Sequence, residues 1–274
     1  MESKTLRTGL FAGLVAIAGI APLMAELPSL EEKPWYGYFA GIEGKKVAVG
    51  LGTDGGAVIV PIKNREWMTT QNYIPLNYQI EEVLPNGKTA VKKIDFESLT
   101  STSAATVKPG TIMFTGKTEG DVKFEGYFEV SRGVVFVGGR ILEKGTVTNP
   151  LKFTIQAVFP QAYKNAKKGE KEWEKKVEDD ILEVRFADGK KAKSTVKDTF
   201  DATAGDFTKP ITQVEMEISE FGEGSFKFTA SPNSKISLLN PKISGPFYEG
   251  ITLVWEADAA TDPQGKARLA IDLK

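Results

Sequence analysis

Apolar and polar residues alternate over short stretches along most of the chain, which is the period-two pattern of β-strands. The segment 122–131, VKFEGYFEVS, shows this alternation clearly, and turns rich in glycine, asparagine or proline separate such stretches. The pattern therefore predicts a mainly β protein. The predicted strands are 34–42, 45–51, 57–62, 79–84, 89–94, 111–117, 122–131, 133–140, 151–159, 181–186, 211–218, 224–230, 235–239, 251–256 and 266–273.

One segment departs from this alternation. Residues 163–180 contain twelve charged side chains among eighteen, and Trp173, Val177 and Ile181 follow one another at helical spacing. Several i,i+4 pairs in the segment carry like charges, so a helix here is stable only if Trp173 and Val177 are buried. The sequence therefore predicts a charged helical connector over 161–180.

The sequence after the connector resembles the sequence before it. Asp188-Gly189-Lys190 follows Asn86-Gly87-Lys88 at an offset of 102 residues, and 251–257 follows 151–157 at an offset of 100. Units of this length are too long for a solenoid, whose repeats span about 20 to 50 residues. We therefore expect two tandem, duplicated β-sandwich or β-barrel-like domains, 26–160 and 181–274, joined by the connector.

The first 25 residues have the parts of a secretory signal peptide. Lys4 and Arg7 are basic, residues 9–20 form an apolar run, and the small residue Ala25 is suited to cleavage. The apolar run is shorter than the roughly 20 residues of a membrane-spanning helix. We expect cleavage after Ala25, bacterial export to the periplasm or the extracellular space, and no transmembrane span afterwards.

Composition narrows the possible functions. Without residues 1–25 the chain has 33 basic and 35 acidic side chains, and this balance gives no reason to expect nucleic acid as a partner. The absence of histidine and cysteine excludes histidine-based triads, thiol nucleophiles and most catalytic zinc sites. A pair of carboxylates acting on a glycosidic bond remains as an enzymatic alternative. Because Glu43, Asp54, Glu125 and Glu129 lie in strands or turns where acids are usually solvated, we predict no catalytic residues and no enzymatic activity.

A glycine pattern and two carboxylate-rich segments could indicate a dinucleotide and calcium, but each is better explained by a turn. Gly50, Gly52 and Gly55 match the spacing of a dinucleotide fingerprint, but a β-branched strand follows where the fingerprint needs a helix, so we predict a hairpin turn and no cofactor. The segments 198–206 and 256–265 are rich in carboxylates that suit calcium. Neither has the spacing of a dedicated calcium loop, so polar turns are favoured and no metal site is predicted.

Aromatic residues near the start of the mature chain supply the candidate ligand-binding site. In 34–42, PWYGYFAGI, alternation places Tyr36 and Tyr38 on one face and Trp35 on the other. Exposed rings would stack on sugars, whereas buried rings would fill a core or cover a sheet edge, which is the commoner role of aromatics in strands. The predicted ligand-binding residues are Trp35, Tyr36, Tyr38, Trp67 and Tyr73.

These observations lead to one expectation with two alternatives. We expect an exported, non-catalytic β protein with a binding or structural role, and with a protein or glycan partner at the cell surface. The first alternative is a carbohydrate-binding protein that uses exposed aromatic rings. The second is a carboxylate-dependent enzyme acting on glycosides, which requires two acids facing each other about 5 to 10 Å apart.

Overall fold

A computed structural model describes residues 27–44, 47–63, 66–67, 73–108, 110–159, 175, 179–195, 205–217, 225–239, 251–259 and 261–273. The predicted signal peptide lies outside these residues, as does almost all of the predicted helical connector, of which Lys175, Asp179 and Asp180 are described. Among the described residues, no helix combines the length and the apolar character needed to cross a membrane.

The described part of the chain is mainly β, as the alternation predicts. A short 3-10 helix spans Gly205–Thr208. The strands are β1 Tyr38–Glu43, β2 Val47–Gly52, β3 Ala57–Lys63, β4 Glu66–Trp67, β5 Ile74–Val83, β6 Thr89–Lys92, β7 Ile94–Ser101, β8 Thr111–Thr118, β9 Val122–Ser131, β10 Val134–Glu143, β11 Leu151–Val158, β12 Ile181–Phe186, β13 Lys191–Thr195, β14 Ile211–Glu217, β15 Ser225–Ala230, β16 Ser234–Leu239, β17 Thr252–Ala257 and β18 Leu269–Leu273.

The strands pair antiparallel in two runs that curl toward each other as a half-barrel. One run is β1, β2, β3, β5, β11, β17 and β16. The other is β7, β8, β9, β10, β18, β15, β14, β12 and β13. The runs meet where Ile211 of β14 pairs with Ile236 of β16, and where Ala40 of β1 bridges to Thr106.

The two predicted halves of the chain contribute to the same sheet. β10 pairs with β18 and β11 pairs with β17, so strands on both sides of the predicted connector are hydrogen-bonded to each other. One cluster of buried side chains includes residues from both halves, for example Phe124 and Phe228. The predicted division into two duplicated domains joined by a charged helix is therefore not confirmed.

The sequence similarity between the halves does correspond to a local structural similarity. In the β5–β6 turn, the Leu84 amide donates to the Lys88 carbonyl, and the Lys88 amide donates to Asn86 Oδ1. In the β12–β13 turn, the Phe186 amide donates to the Lys190 carbonyl, and the Lys190 amide donates to Asp188 Oδ1. The partners of the hairpins differ, because β5 pairs with β11 whereas β12 pairs with β14.

The core lies between the two curled layers and is rich in aromatic rings. Tyr78 on β5 is fully buried and donates a hydrogen bond to the backbone carbonyl of Tyr127 on β9, 2.9 Å away. Its ring meets the Phe114 ring edge-on, with centroids 5.4 Å apart. A Cβ at position 126 would overlap the Phe114 ring, so this position requires glycine. The Tyr78 hydroxyl therefore joins the two layers, and Gly126 leaves room for the ring of its cross-strand partner Phe114 on β8.

Some predicted boundaries are wrong for identifiable reasons. Residues 64–78 are missing from the predicted strands because of their polar side chains, yet Ile74, Leu76 and Tyr78 point into the core and lie in β5. In 34–42, the register shifts between Tyr38 and Ala40, so that Phe39 and Ala40 are both buried and strict alternation ends there. Strand β13 and most of β7 are missing from the predicted strands. Their side chains are mostly polar and exposed, so apolar and polar residues do not alternate clearly in them.

Candidate functional site

The predicted aromatic residues lie on the outer surface of the sheet formed by β1, β2 and β3. Side chains of Val47, Val49 and Leu51 fill the main core, so the intervening positions Ala48 and Gly50 face outward. A second, smaller hydrophobic cluster covers these outward positions. It consists of buried Trp35, Ala48 and Val60, with partly buried Leu30, Tyr38, Val58, Ile62, Trp67 and Tyr73 around them.

Trp35 is the centre of this outer cluster. It is 7% exposed and meets the Trp67 ring edge-on, with centroids 4.5 Å apart and an interplanar angle of 82°. It also meets the Tyr38 ring at 5.7 Å and 84°. Gly41 makes room for Trp35, since a Cβ at Gly41 would overlap the indole ring. Because the three rings are perpendicular to one another and not coplanar, they do not form a flat platform for a sugar.

Tyr36 behaves differently from its neighbours. It is 73% exposed, whereas Trp35 beside it is buried. A surface pocket of about 560 Å³ lies next to it, within the range of small-molecule sites. We call this the tyrosine pocket. Its aromatic residues are Tyr36, Tyr38 and Tyr73, and its polar side chains are Thr53, Asp54 and Asn77.

The hairpin between β2 and β3 positions the polar wall of the tyrosine pocket. The Gly52 amide donates to the Gly56 carbonyl at 2.6 Å, and the Gly56 amide donates to Asp54 Oδ1 at 3.0 Å. Gly55 has a φ of +76°, the left-handed conformation that this turn requires. These contacts fix the Asp54 carboxylate, and a carboxylate has further acceptor capacity on its second oxygen. The hairpin predicted from the glycine pattern is thus confirmed.

The phenol of Tyr38 is held in its protonated form. Burial raises the pKa of Tyr38 above its ordinary value, and the nearby Tyr73 and Asp54 raise it further. A protonated phenol both donates and accepts hydrogen bonds, so it matches the two-way bonding of a ligand hydroxyl group.

The five predicted ligand-binding residues therefore divide into two groups. Trp35 and Trp67 do not line the tyrosine pocket, whereas Tyr36, Tyr38 and Tyr73 line it, and of these Tyr38 and Tyr73 also belong to the outer cluster. The five predicted residues include neither Thr53 nor Asn77. Alternation along β5 would have placed Asn77 on the outer face of the sheet, because its neighbours Leu76 and Tyr78 are apolar and buried.

The four acids considered for catalysis have structural contacts. Glu125 Oε1 accepts from Arg140 Nε at 3.2 Å, and Glu129 accepts a hydrogen bond from the Tyr127 hydroxyl. Both acids lie on β9, four residues apart, which places their backbones about 13 Å apart along the strand. Glu43 accepts from Trp67 Nε1 at 3.4 Å, and Asp54 closes the hairpin described above.

The segments considered for calcium differ in what the structure describes. Most of 198–206 lies outside the described residues. In 256–265, the buried Asp262 accepts hydrogen bonds from the backbone amides of Lys266 and Ala267 at 2.8 and 2.7 Å. Asp262 therefore stabilises a turn. Within the described ranges, no three Asp, Glu, His or Cys side chains are grouped as a metal site would need.

A second and larger pocket, of about 870 Å³, lies at the ends of β10, β11, β16 and β17. We call it the end pocket. Its apolar surface includes Leu142, Leu151 and Phe153, and its charged residues include Lys152, Lys235 and Glu256. Residues before and after the predicted connector thus share this pocket.

No protein-family model matches the chain, and no curated protein matches it by sequence.

Proposed function

We propose that this chain is an exported, non-catalytic protein that binds a saccharide in the tyrosine pocket, at the cell envelope or outside the cell. The observation that supports this function is the exposed ring of Tyr36 beside a pocket that also contains Tyr38, Tyr73 and Asp54. A glycan partner is favoured over a protein partner because the pocket is concave and combines rings with polar groups.

The chemistry of the pocket suits a sugar. A sugar ring has C–H faces that pack on aromatic rings, and hydroxyl groups that need donors and acceptors. Tyr36 supplies an exposed ring, and Tyr38 supplies a phenol that stays protonated. Asp54 and Asn77, which also line the pocket, supply a carboxylate and an amide. The carbohydrate-binding function therefore rests on three tyrosines instead of the five aromatic residues considered from the sequence.

The absence of catalysis is part of the proposal. A glycosidase needs two acids about 5 to 10 Å apart across the bond that is cleaved. In the tyrosine pocket, Asp54 is the acidic residue among the described lining residues. Incubation with any saccharide that binds should therefore leave it intact, and detection of cleavage products by mass spectrometry would contradict the proposal.

A glycan array followed by isothermal titration calorimetry tests the binding function. We expect a saccharide to bind the wild-type protein, and Tyr36→Ala to weaken binding by roughly fivefold through loss of one stacking contact. Phe96→Ala is the matched control, because Phe96 is an aromatic residue that is 45% exposed and does not line the pocket. Equal losses in both variants, or no binding on the array, would rule out the tyrosine pocket as a saccharide site.

Export is supported by the signal-like features of residues 1–25. N-terminal sequencing of the protein recovered from the periplasm or the medium should begin at Glu26. Recovery of a chain that starts at Met1 in the cytoplasm would contradict export.

Internal duplication is likewise proposed, and the matching turns at Asn86-Gly87-Lys88 and Asp188-Gly189-Lys190 support it. In this proposal the copies have exchanged strand partners since duplication, so that β11 and its counterpart β17 pair with each other. Expression of 26–160 alone tests whether the first copy still folds independently. A cooperative unfolding transition would support a self-sufficient domain, and its absence would mean that the two copies now fold only together.

A further inference from the structure

The apolar side of the tyrosine pocket is a row of outward positions that crosses three strands. Gly50 on β2 pairs with Val58 on β3, and Val58 pairs with Pro75 on β5. The ring of Tyr38 lies over the Gly50 end of this row, where a Cβ would overlap it. Val58 and Pro75 line the pocket beside this ring, so a bound ligand meets an apolar surface there.

Asp54 supplies the formal charge among the described residues that line this pocket. Its Oδ1 accepts from the Gly56 amide at 3.0 Å, and a Cβ at Gly52 would lie 2.6 Å from the same oxygen. Gly52 is the cross-strand partner of Tyr38, so the carboxylate lies on the side of the hairpin next to that tyrosine. Within the described part of the chain, no lysine or arginine forms an ion pair with Asp54.

The charge of Asp54 acts on the rings of the pocket. Burial raises the pKa of the Tyr38 phenol most, and Tyr73 and Asp54 raise it further. Tyr73 and Asp54 therefore lie near that phenol, and all three side chains line one concavity. The negative potential through which Asp54 disfavours a phenolate favours a cation in the same place.

We propose that the saccharide bound in the tyrosine pocket is an amino sugar with a protonated primary amine, an assignment that rests on the saccharide-binding function proposed above. The ammonium group donates to Asp54 and lies among the rings of Tyr36, Tyr38 and Tyr73. The faces of aromatic rings attract cations, and a carboxylate accepts charge-assisted hydrogen bonds from N–H groups. A primary ammonium group is favoured over a quaternary one, because a quaternary ammonium has no N–H to donate to Asp54 or to the Tyr38 hydroxyl oxygen.

Isothermal titration calorimetry with a glucosamine trisaccharide and with its N-acetylated form tests the proposal. The two ligands differ in the acetyl groups, which convert the charged amines into neutral amides. At about pH 6, below the pKa of about 7.7 to 8.0 of a comparable amine, the amino trisaccharide is protonated. We expect it to bind the wild-type protein about tenfold more tightly than the N-acetylated form. Equal affinities, or tighter binding of the N-acetylated form, would overturn the proposal.

The variant Asp54→Asn separates the charge of the pocket from its shape. Asparagine keeps a carbonyl oxygen for the Gly56 amide, so the hairpin should persist. This variant should weaken binding of the amino trisaccharide about fivefold, and that of the N-acetylated form by less than about twofold. Asp188→Asn is the matched control, because Asp188 Oδ1 accepts from the Lys190 amide at 3.0 Å in the β12–β13 turn and does not line the pocket.

The comparison of the two ligands distinguishes a role for charge from a structural role. Unchanged binding of the amino trisaccharide in Asp54→Asn, or an equal loss for both ligands, would contradict the proposal. An equal loss in Asp188→Asn would also contradict it, since the effect would then come from net charge and not from the pocket. If Asp54→Asn fails to fold, the affinities of the two ligands for the wild-type protein decide the matter.

Failure of this proposal is distinguishable from failure of the saccharide-binding function. If a neutral saccharide binds, and Tyr36→Ala weakens it, but the amino trisaccharide has no advantage, then the function stands and the amino-sugar assignment is wrong. If no saccharide binds on the array, both are wrong.

Discussion

Replacement of Trp35 by alanine should destabilise the protein strongly, although Trp35 lies outside the main core. Trp35 is 7% exposed and meets two rings edge-on. A buried tryptophan removes about 200 Å² from water, which corresponds to an upper limit of about 5 kcal/mol. Because the covering segment can partly re-pack over Ala48 and Val60, we expect a loss of about 3 kcal/mol in the free energy of unfolding.

Tyr36→Ala is the contrasting variant for this prediction. Tyr36 is adjacent in sequence but 73% exposed, so its removal should change the free energy of unfolding by less than about 0.5 kcal/mol. Urea denaturation followed by circular dichroism measures both variants, with the midpoint and the slope compared with wild type. A loss below about 1 kcal/mol in Trp35→Ala would refute the packing of the outer cluster, as would equal losses in the two variants.

Four further outcomes are expected. Tyr78→Phe should lose about 1 to 2 kcal/mol in thermal unfolding, because it removes the cross-layer hydrogen bond to Tyr127. Burial raises the pKa of Tyr78, so wild-type stability should fall as pH rises above about 10, the value for an unfolded tyrosine, and should fall less steeply in Tyr78→Phe. Gly126→Ala should cost about 1 to 3 kcal/mol through overlap with Phe114, whereas Gly110→Ala, where a Cβ has open space, should cost much less. Calcium and chelator should leave the unfolding temperature unchanged, and a rise with calcium would reveal a metal site.

The existence and type of the strands could be predicted from the sequence wherever one face is buried and the other is exposed. Val122–Ser131 and Ile181–Phe186 agree residue by residue with the predicted strands. The prediction failed where an outward-facing position carried a loop-forming residue. Pro75 and Asn77 concealed the buried alternation at the start of β5 for this reason.

Strand partners could not be predicted, because pairing depends on contacts between residues distant in sequence. The similarity at Asn86-Gly87-Lys88 and Asp188-Gly189-Lys190 suggested two separate domains, and the local turns do match. Nothing in the pattern indicates that β10 pairs with β18, because an alternating strand can pair with any other strand whose exposed face points the same way.

The candidate site was predicted in part. The aromatic residues near position 36 do gather on one surface, but period two placed Trp35 and Tyr38 on opposite faces, whereas their rings are 5.7 Å apart. The error arises because Trp35 lies before β1 in a turn, in which the Tyr38 amide donates to the Trp35 carbonyl at 3.0 Å and Gly37 has a φ of +87°, so strand alternation does not apply between Trp35 and Tyr38. The placement of Trp35, Tyr36 and Tyr38 depends on that turn, which the hydrophobic pattern does not reveal.

Nuclear magnetic resonance of the protein with ¹³C-labelled tyrosine tests the proposed saccharide site most directly. The chain contains seven tyrosines, whose signals can be assigned with single Tyr→Phe variants. Addition of a saccharide found on the array should shift the signals of Tyr36, Tyr38 and Tyr73, and leave that of the buried Tyr78 in place. Shifts confined to tyrosines outside the pocket, or no shifts at saturation, would contradict the account.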